Sequence, residues 1–261
     1  EFRRVLFRSK IEVPVDAYWG ANTQRSIENF PKGVETMPHS LIMALVNIKK
    51  ACAMVNNEEG KLSDRKREYI VSACNKILLG RFNDQFPLTI WQTGSGTQTN
   101  MNVNEVIAHI ANEKAGEDII HPNDDVNMSQ SSNDVFPTAM HIASLMKLKT
   151  NLFPEIDRTL EVLDRLKKEN DLIKVGRTHL QDATPIRLSQ EISAWKTMVE
   201  RDYRIIEVML PTIQRLAIGG TAVGTGINAS SDFGDKVAIK LSELLDEDFI
   251  SDENKFYQLS S

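Results

Sequence analysis

The sequence predicts a mostly α-helical fold, and three observations carry that expectation. Apolar residues return at helical spacing over much of the chain. One stretch, from Ile192 to Leu216, keeps a heptad rhythm long enough for a bundle helix. Strand signals are sparse throughout.

Each element follows from its local pattern. From Pro38 to about Asn57, the positions Leu41, Leu45, Val46, Ile48 and Met54 mark one helix. Residues 62–80 read as a second helix, stopped by Gly80. Residues 81–100 break the pattern with a polar turn, a short apolar run and small hydroxyl residues, and a helix follows from about Asn102 to Lys114. Residues 115–128 form a loop rich in Gly, Pro, Asn and Asp. Asn133 or Asp134 can cap the next helix, with Pro137 in its first turn and its end near Asn151. Ile156, Leu160, Leu163 and Leu166 then share one helical face.

The heptad seam runs through Ile192, Trp195, Val199, Asp202, Ile206, Met209, Ile213 and Leu216. Its one polar break is Asp202, and Pro211 is placed to kink it near its end. Such a helix is about 40 Å long at 1.5 Å per residue, so it should pack in a bundle of long helices, from this or another subunit. A smaller, mainly helical N-terminal domain over 10–128 and a long-helix bundle domain over 129–261 are the expected organisation.

Composition narrows the function. The net charge of −5 opposes general nucleic-acid binding, which needs a basic face. It leaves room for a local cationic or amide-rich pocket that takes a small anion. No apolar run reaches the roughly eighteen residues of a membrane span. Cys52 and Cys74 are too few for a disulfide framework and read as buried, reduced thiols of a cytoplasmic protein. No Cys/His pattern suggests a metal site. Residues Glu1 to Ser9, EFRRVLFRS, fit neither a signal peptide nor the sequence from Lys10 onward and read as foreign or misassembled.

Three polar, small-residue segments carry the candidate chemistry: Gly94 to Glu105, His121 to Asp134, and Gly176 to Ala183. A fourth, weaker one is Gly219 to Gly226. Each of the first three offers hydroxyls, amides and backbone N–H groups on or near an expected helix start, where unpaired donors and the helix dipole favour an anion. Taken singly, each is better accounted for as caps and turns. His179 stands out within the third because an imidazole exchanges its proton near neutral pH.

Taken together, the segments resemble class II fumarases of the fumarase/aspartase superfamily. The resemblance rests on YWGANTQRS at Tyr18–Ser26, then GSGTQTNMNVNEVIA, HPNDDVNMSQSSNDVFPTAMHIA, GRTHLQDATP and GGTAVGTGIN, in the family's order from residue 11 to about 257. Trp19, Gln24-Arg25-Ser26, Gln98 and Thr178-His179 are fumarase-like rather than aspartase-like. The resemblance implies a fumarase/aspartase-like fold and reversible hydration of fumarate to L-malate in the tricarboxylic acid cycle. It also implies a cytoplasmic homotetramer, with no metal or organic cofactor, no nucleic acid and no membrane; a mitochondrial location stays open.

By motif, it makes His179 the acid/base group and Ser95, Thr97, Ser131, Ser132, Asn133 and Thr178 the substrate ligands, with Gly96 allowing close backbone approach. His121, Asn123 and Asp124 match a secondary anion site, although Asp118, Ile119 and Ile120 stand where a basic residue often precedes it. The family's GSS loop, with its serine base and substrate-binding lysine, does not occur in these residues. The expectation is therefore a C-terminally truncated polypeptide, inactive or severely impaired alone. Aspartate ammonia-lyase and a non-catalytic helical scaffold are the alternative readings.

Overall fold

The computed structural model describes residues 11–31 and 33–260, so the stretch read as foreign, Glu1 to Ser9, lies outside the described residues. Two compact units emerge, one from the chain's two ends (residues up to Ala143 and from Gln214) and one from Ser144–Ile213.

In the first unit, α1 (Ala21–Asn29), α2 (His39–Glu58), α3 (Asp64–Leu78) and α4 (Thr97–Ala115) precede the start of α5 (Ser132–Lys147). A short 3-10 turn spans Asn83–Gln85 and a π turn spans Pro122–Val126. After residue 214 come β3 (Arg215–Leu216), α8 (Phe233–Leu245), β4 (Ile250–Ser251) and α9 (Lys255–Gln258). The core is built around α2, which packs against α3, α4 and α8. Leu45, Val46, Ile48 and Val55 of α2, Ile70 and Ile77 of α3, Val103 and Ile107 of α4, and Phe233 and Val237 of α8 are all buried in that core.

Most helix ends follow their local signals. Ser63 caps α3 by accepting from the Lys66 N–H, Asp64 sits in its first turn and Lys76 in its last. Gly80, at φ 81°, follows its end as expected. Two starts were displaced. The α4 helix begins at Thr97 rather than Asn102, because Gly96 at φ 69° turns the chain straight into it. The α5 helix is capped by Ser131, not by Asn133 or Asp134: Ser131 Oγ accepts from the Asn133 N–H at 3.2 Å, while Asp134 Oδ1 accepts from the Ser131 N–H at 2.9 Å. Beyond Lys147 the expected helix end near Asn151 becomes a π turn over Leu148–Leu152.

Glu105 of α4 anchors the N-terminal segment. Its buried carboxylate accepts from the N–H groups of Gly20, Asn22 and Thr23, from Asn22 Nδ2 and from Thr23 Oγ1. The tryptophan-glycine motif is thereby tied to the helix that leaves the first polar segment.

The second unit pairs α6 (Phe153–Glu169) with α7 (Leu188–Ile213) and holds a hairpin of β1 (Ile173–Thr178) and β2 (Gln181–Arg187). Phe153 meets Tyr203 edge-on at 4.8 Å, and Lys196 bridges to Asp164 at 2.8 Å. Pro211 lies inside α7, two residues before its end at Ile213. Of the heptad seam on α7 only Ile192 is buried; Trp195 is 46% and Met209 50% exposed. Val199, Ile206 and Ile213 are half-buried, so the chain alone leaves that seam only partly covered. The hairpin was not anticipated, and it holds the GRTHLQDATP segment. A register shift at Gly176 bends β1, and a Cβ there would stand 2.6 Å from the Thr184 carbonyl oxygen.

Candidate active site

Two helix starts meet in the first unit. Thr97 opens α4 and Ser132 opens α5, and their hydroxyl oxygens lie 3.0 Å apart. Ser95 Oγ stands 3.2 Å from Thr97 Oγ1, and Thr93 Oγ1 stands 3.4 Å from Ser95 Oγ. No side chain caps α4, so its first N–H groups keep their donor capacity for a ligand. Gly96 is required twice over. Its φ of 69° is left-handed, and a Cβ would stand 2.2 Å from the Phe136 ring. The close approach of the Gly96 backbone to Phe136 is what draws the two starts together.

Asn133 joins this cluster at a cavity of about 480 Å³, which Ser95, Pro137, Val223 and Phe256 also line. Its Nδ2 donates to the Ala222 carbonyl at 2.7 Å, linking it to the fourth segment. Asp134 reinforces the link: its Oδ2 accepts from the Gly219 N–H at 3.1 Å and the Thr221 N–H at 2.8 Å. Burial raises the Asp134 pKa, and the N–H donors of Ser131, Thr221 and Gly219 oppose that rise.

Of the residues singled out in sequence, Ser95, Thr97 and Ser132 thus come together, with Asn133 beside them. Ser131 accepts on its hydroxyl oxygen in the α5 cap, which uses none of its O–H donor capacity. Thr178 and His179 belong to the second unit, where the third segment is a hairpin turn and not a helix start. His179 and Leu180 form the whole turn between β1 and β2, at φ 48° and 61°. A two-residue turn with both φ positive normally takes Asn-Gly. Arg177 pairs across the strands with Asp182 at 3.2 Å.

His121 caps the π turn, its Nδ1 accepting from the Asp124 N–H at 3.2 Å. Asn123 and Asp124 line a second cavity of about 580 Å³, together with Lys61, Ser129 and Asn228. The buried Asp125, which sequence reasoning passed over, holds this turn: it accepts from the His121 N–H at 2.8 Å and pairs with Lys66 at 2.7 Å.

The sequence model of the family described as Lyase matches residues 9–261. The chain belongs to the lyase family. It is 52% identical over 258 residues to a protein of Campylobacter jejuni named fumarate hydratase class II, covering 97% of this chain and 56% of that protein. A Listeria monocytogenes protein of the same name is 55% identical over 253 residues, with 96% and 56% covered. The chain therefore spans about half the length of the curated relatives it matches. The crystal structure of a class II fumarase from Schistosoma mansoni superposes with a TM-score of 0.93 at 40% identity, covering 96% of this chain and 57% of that one. A fumarate lyase:delta crystallin from Brucella melitensis gives 0.91 at 37%, with 95% and 56% covered. The mostly helical, fumarase-like fold expected from the sequence is the one observed.

Sequence reasoning missed the polar layer beneath these two helix starts. Asn127 Oδ1 accepts from Lys49 Nζ at 2.8 Å, Asn100 Nδ2 at 3.1 Å and Asn104 Nδ2 at 3.3 Å. Lys49 is fully buried, and burial lowers its pKa to about 8. A signal existed: Lys49 follows Leu45 by one helical turn, so it shares the apolar face of α2.

Proposed function

We propose that the chain carries the dicarboxylate-binding part of a fumarate hydratase, which adds water reversibly across fumarate to give L-malate. The observation that carries this reading is the meeting of α4 and α5 at Thr97 and Ser132, where hydroxyls gather at the uncapped N–H groups of α4. A carboxylate suits such a place, since dipoles and donors already point at it. The names of the curated relatives supply the choice of substrate.

In the dehydration direction the reaction removes a proton beside a carboxylate and puts a second charge on that carboxylate as an aci-carboxylate. Preorganised donors must take up the added charge. Ser95, Thr97, Ser131, Ser132 and Asn133 fill that role in this reading, with Thr178. His179 handles the proton of the water or departing hydroxyl, completing a trans addition or elimination. His121, Asn123 and Asp124 form a secondary anion site. The exposed apolar residues of α7, among them Trp195, Ile205, Val208 and Met209, support assembly into a homotetramer whose site is shared between subunits. Cytoplasmic work in the tricarboxylic acid cycle fits the same reading. The 261 residues contain no GSS loop, so this polypeptide alone is expected to hydrate fumarate poorly or not at all.

The test is to follow fumarate absorbance with a version carrying the whole natural reading frame, with and without ammonium. Loss of fumarate in water alone supports hydration. Loss only with ammonium assigns an aspartate ammonia-lyase, and no loss in either case sinks the catalytic reading.

A further inference from the structure

Lys49 lies near the middle of α2 and is 0% exposed. Its ammonium donates to Asn127 Oδ1 at 2.8 Å and Gln130 Oε1 at 2.9 Å. Both acceptors are neutral. The Asp134 carboxylate acts on it through space, with no ion-pair contact among the described residues. An ammonium buried without a contacting counter-ion is strongly unfavourable, and an apolar side chain of similar volume would fill the position more stably. The charge therefore needs an explanation beyond packing.

Its two acceptors supply one. Asn127 also receives Asn100 Nδ2, and Asn100 sits on α4 one turn beyond Thr97. Gln130 immediately precedes Ser131, the cap of α5, and its Nε2 donates to the carbonyls of Val126 and Met128 at 3.1 and 2.9 Å. The contacts of one cation thus fan out to both helix starts. We infer that Lys49 is a positioning residue whose buried ammonium, acting through Asn127 and Gln130, holds the starts of α4 and α5 in the arrangement that receives an anionic ligand. Its positive charge, unscreened by water, adds to the potential of the two helix N-termini. Only the identity of the ligand rests on the dicarboxylate reading above.

The charged or titratable groups acting on Lys49 are Cys52 on its own helix, Cys74 on α3 and Asp134 on α5. Burial pushes both thiols up, so they stay neutral through the range in which Lys49 titrates.

The experiment uses the 261-residue chain, isotope-labelled for nuclear magnetic resonance, as wild type and Lys49→Met. In the variant, side-chain amide signals of Asn100 and Asn127 should move. Exchange at the backbone amides of 129–133 should rise about tenfold, while Leu45, Ile48 and Cys52 stay within about twofold. Unchanged exchange at 129–133 would overturn the inference. So would equal acceleration along α2, which is the mark of a core residue and nothing more. A measurement without any variant stands beside it, in case Lys49→Met does not fold. As pH rises through about 8, the Asn127 and Gln130 side-chain amides of the wild type should follow one transition with the Lys49 ammonium. No shared transition between about pH 6 and pH 10 would also overturn it. Fumarate is then titrated into both proteins, and binding in Lys49→Met should weaken about tenfold or more. A wild type that shows no fumarate-dependent shifts sinks the dicarboxylate reading, and the first two measurements still decide the role of Lys49.

Discussion

Replacing Asp134 with alanine removes one carboxylate that three backbone N–H groups share, from Ser131, Gly219 and Thr221. Asp134 is 0% and Thr221 2% exposed, so water does not readily take its place. An orphaned buried donor such as the Thr221 N–H costs about 1–3 kcal/mol, and the half-buried Ser131 and Gly219 N–H groups lie at the low end of that range. Against this, the variant no longer buries a carboxylate, and that relief offsets several kcal/mol of the loss. The net loss is therefore about 2–4 kcal/mol, smaller than the three donors alone would give. Hydrogen exchange resolves the effect residue by residue. The Gly219 and Thr221 amides should exchange about 30-fold faster or more, at about 1.4 kcal/mol per factor of ten. Urea unfolding of the first unit should shift in step. An Asp134→Asn variant keeps one oxygen and should fall between the two. If Asp134→Ala lies within about 0.5 kcal/mol of the wild type, with Gly219 and Thr221 unchanged, this carboxylate does not hold the fourth segment to the α5 start.

Burial works to raise the Glu59 pKa, yet hydrogen bonds from Lys61, Ser230 and Lys236 outweigh it and leave about 2. A depressed carboxyl contributes above its unfolded value of 4.5 and loses that contribution as pH falls toward 2, here at most about 3 kcal/mol. Melting temperatures between pH 6 and pH 2.5 should therefore fall more steeply in wild type than in Glu59→Gln, at about these pH values. Gly96→Ala combines a left-handed φ with a Cβ 2.2 Å from Phe136, so it should destabilise by about 2 kcal/mol or more; adding Phe136→Leu should recover only the steric part, read by thermal unfolding. Cys52 and Cys74 are buried and unpaired, with Cys74 pushed up to about 12 and Cys52 higher, so iodoacetamide should label neither in the native chain and both in urea. Leu180→Gly, at an exposed turn position with φ 61°, should stabilise the hairpin by about 1 kcal/mol, and a loss of stability would refute the turn geometry.

The helices were legible because their signals are local. Ser63, Gly80 and the apolar spacing of α2 announce themselves within a turn or two of chain. The early start of α4 was not, because Gly96 can end a loop or open a helix, and the choice is made by Phe136, forty residues away in sequence. The hairpin over 173–187 was missed for a related reason. Its turn is His-Leu in place of Asn-Gly, and it carries a bulge and Pro185, so no alternation survives in the sequence. The candidate site divides in the same way. The hydroxyls of Ser95, Thr97 and Ser132 stand in motifs and could be named. The layer that seats them, Lys49 with Asn127 and Gln130, is assembled from residues 78 and 81 positions apart, and only the fold reveals it.

Local rules fail in this chain at particular places, and several of those places coincide. Seven non-glycine residues among those described take a positive φ: Phe82, Ser129, His179, Leu180, Thr221, Asn228 and Asp246. Four of them (Ser129, His179, Leu180 and Thr221) lie inside the polar segments singled out from sequence. Each such residue costs about 1–2 kcal/mol relative to relaxed backbone. Some of the buried polar atoms without a protein partner lie there too, the Oδ1 atoms of Asn100, Asn102 and Asn104 and the Thr221 hydroxyl, while others such as those of Ser26, Thr89 and Thr138 lie elsewhere. A scaffold selected for stability alone would shed these features first, since glycine or an apolar side chain removes each of them. Their presence in the segments that carry Ser95, Thr97, Ser132 and His179 fits the anion-handling role proposed above for those segments. The surrounding core of α2, α3, α4 and α8 supplies the stability that this arrangement consumes.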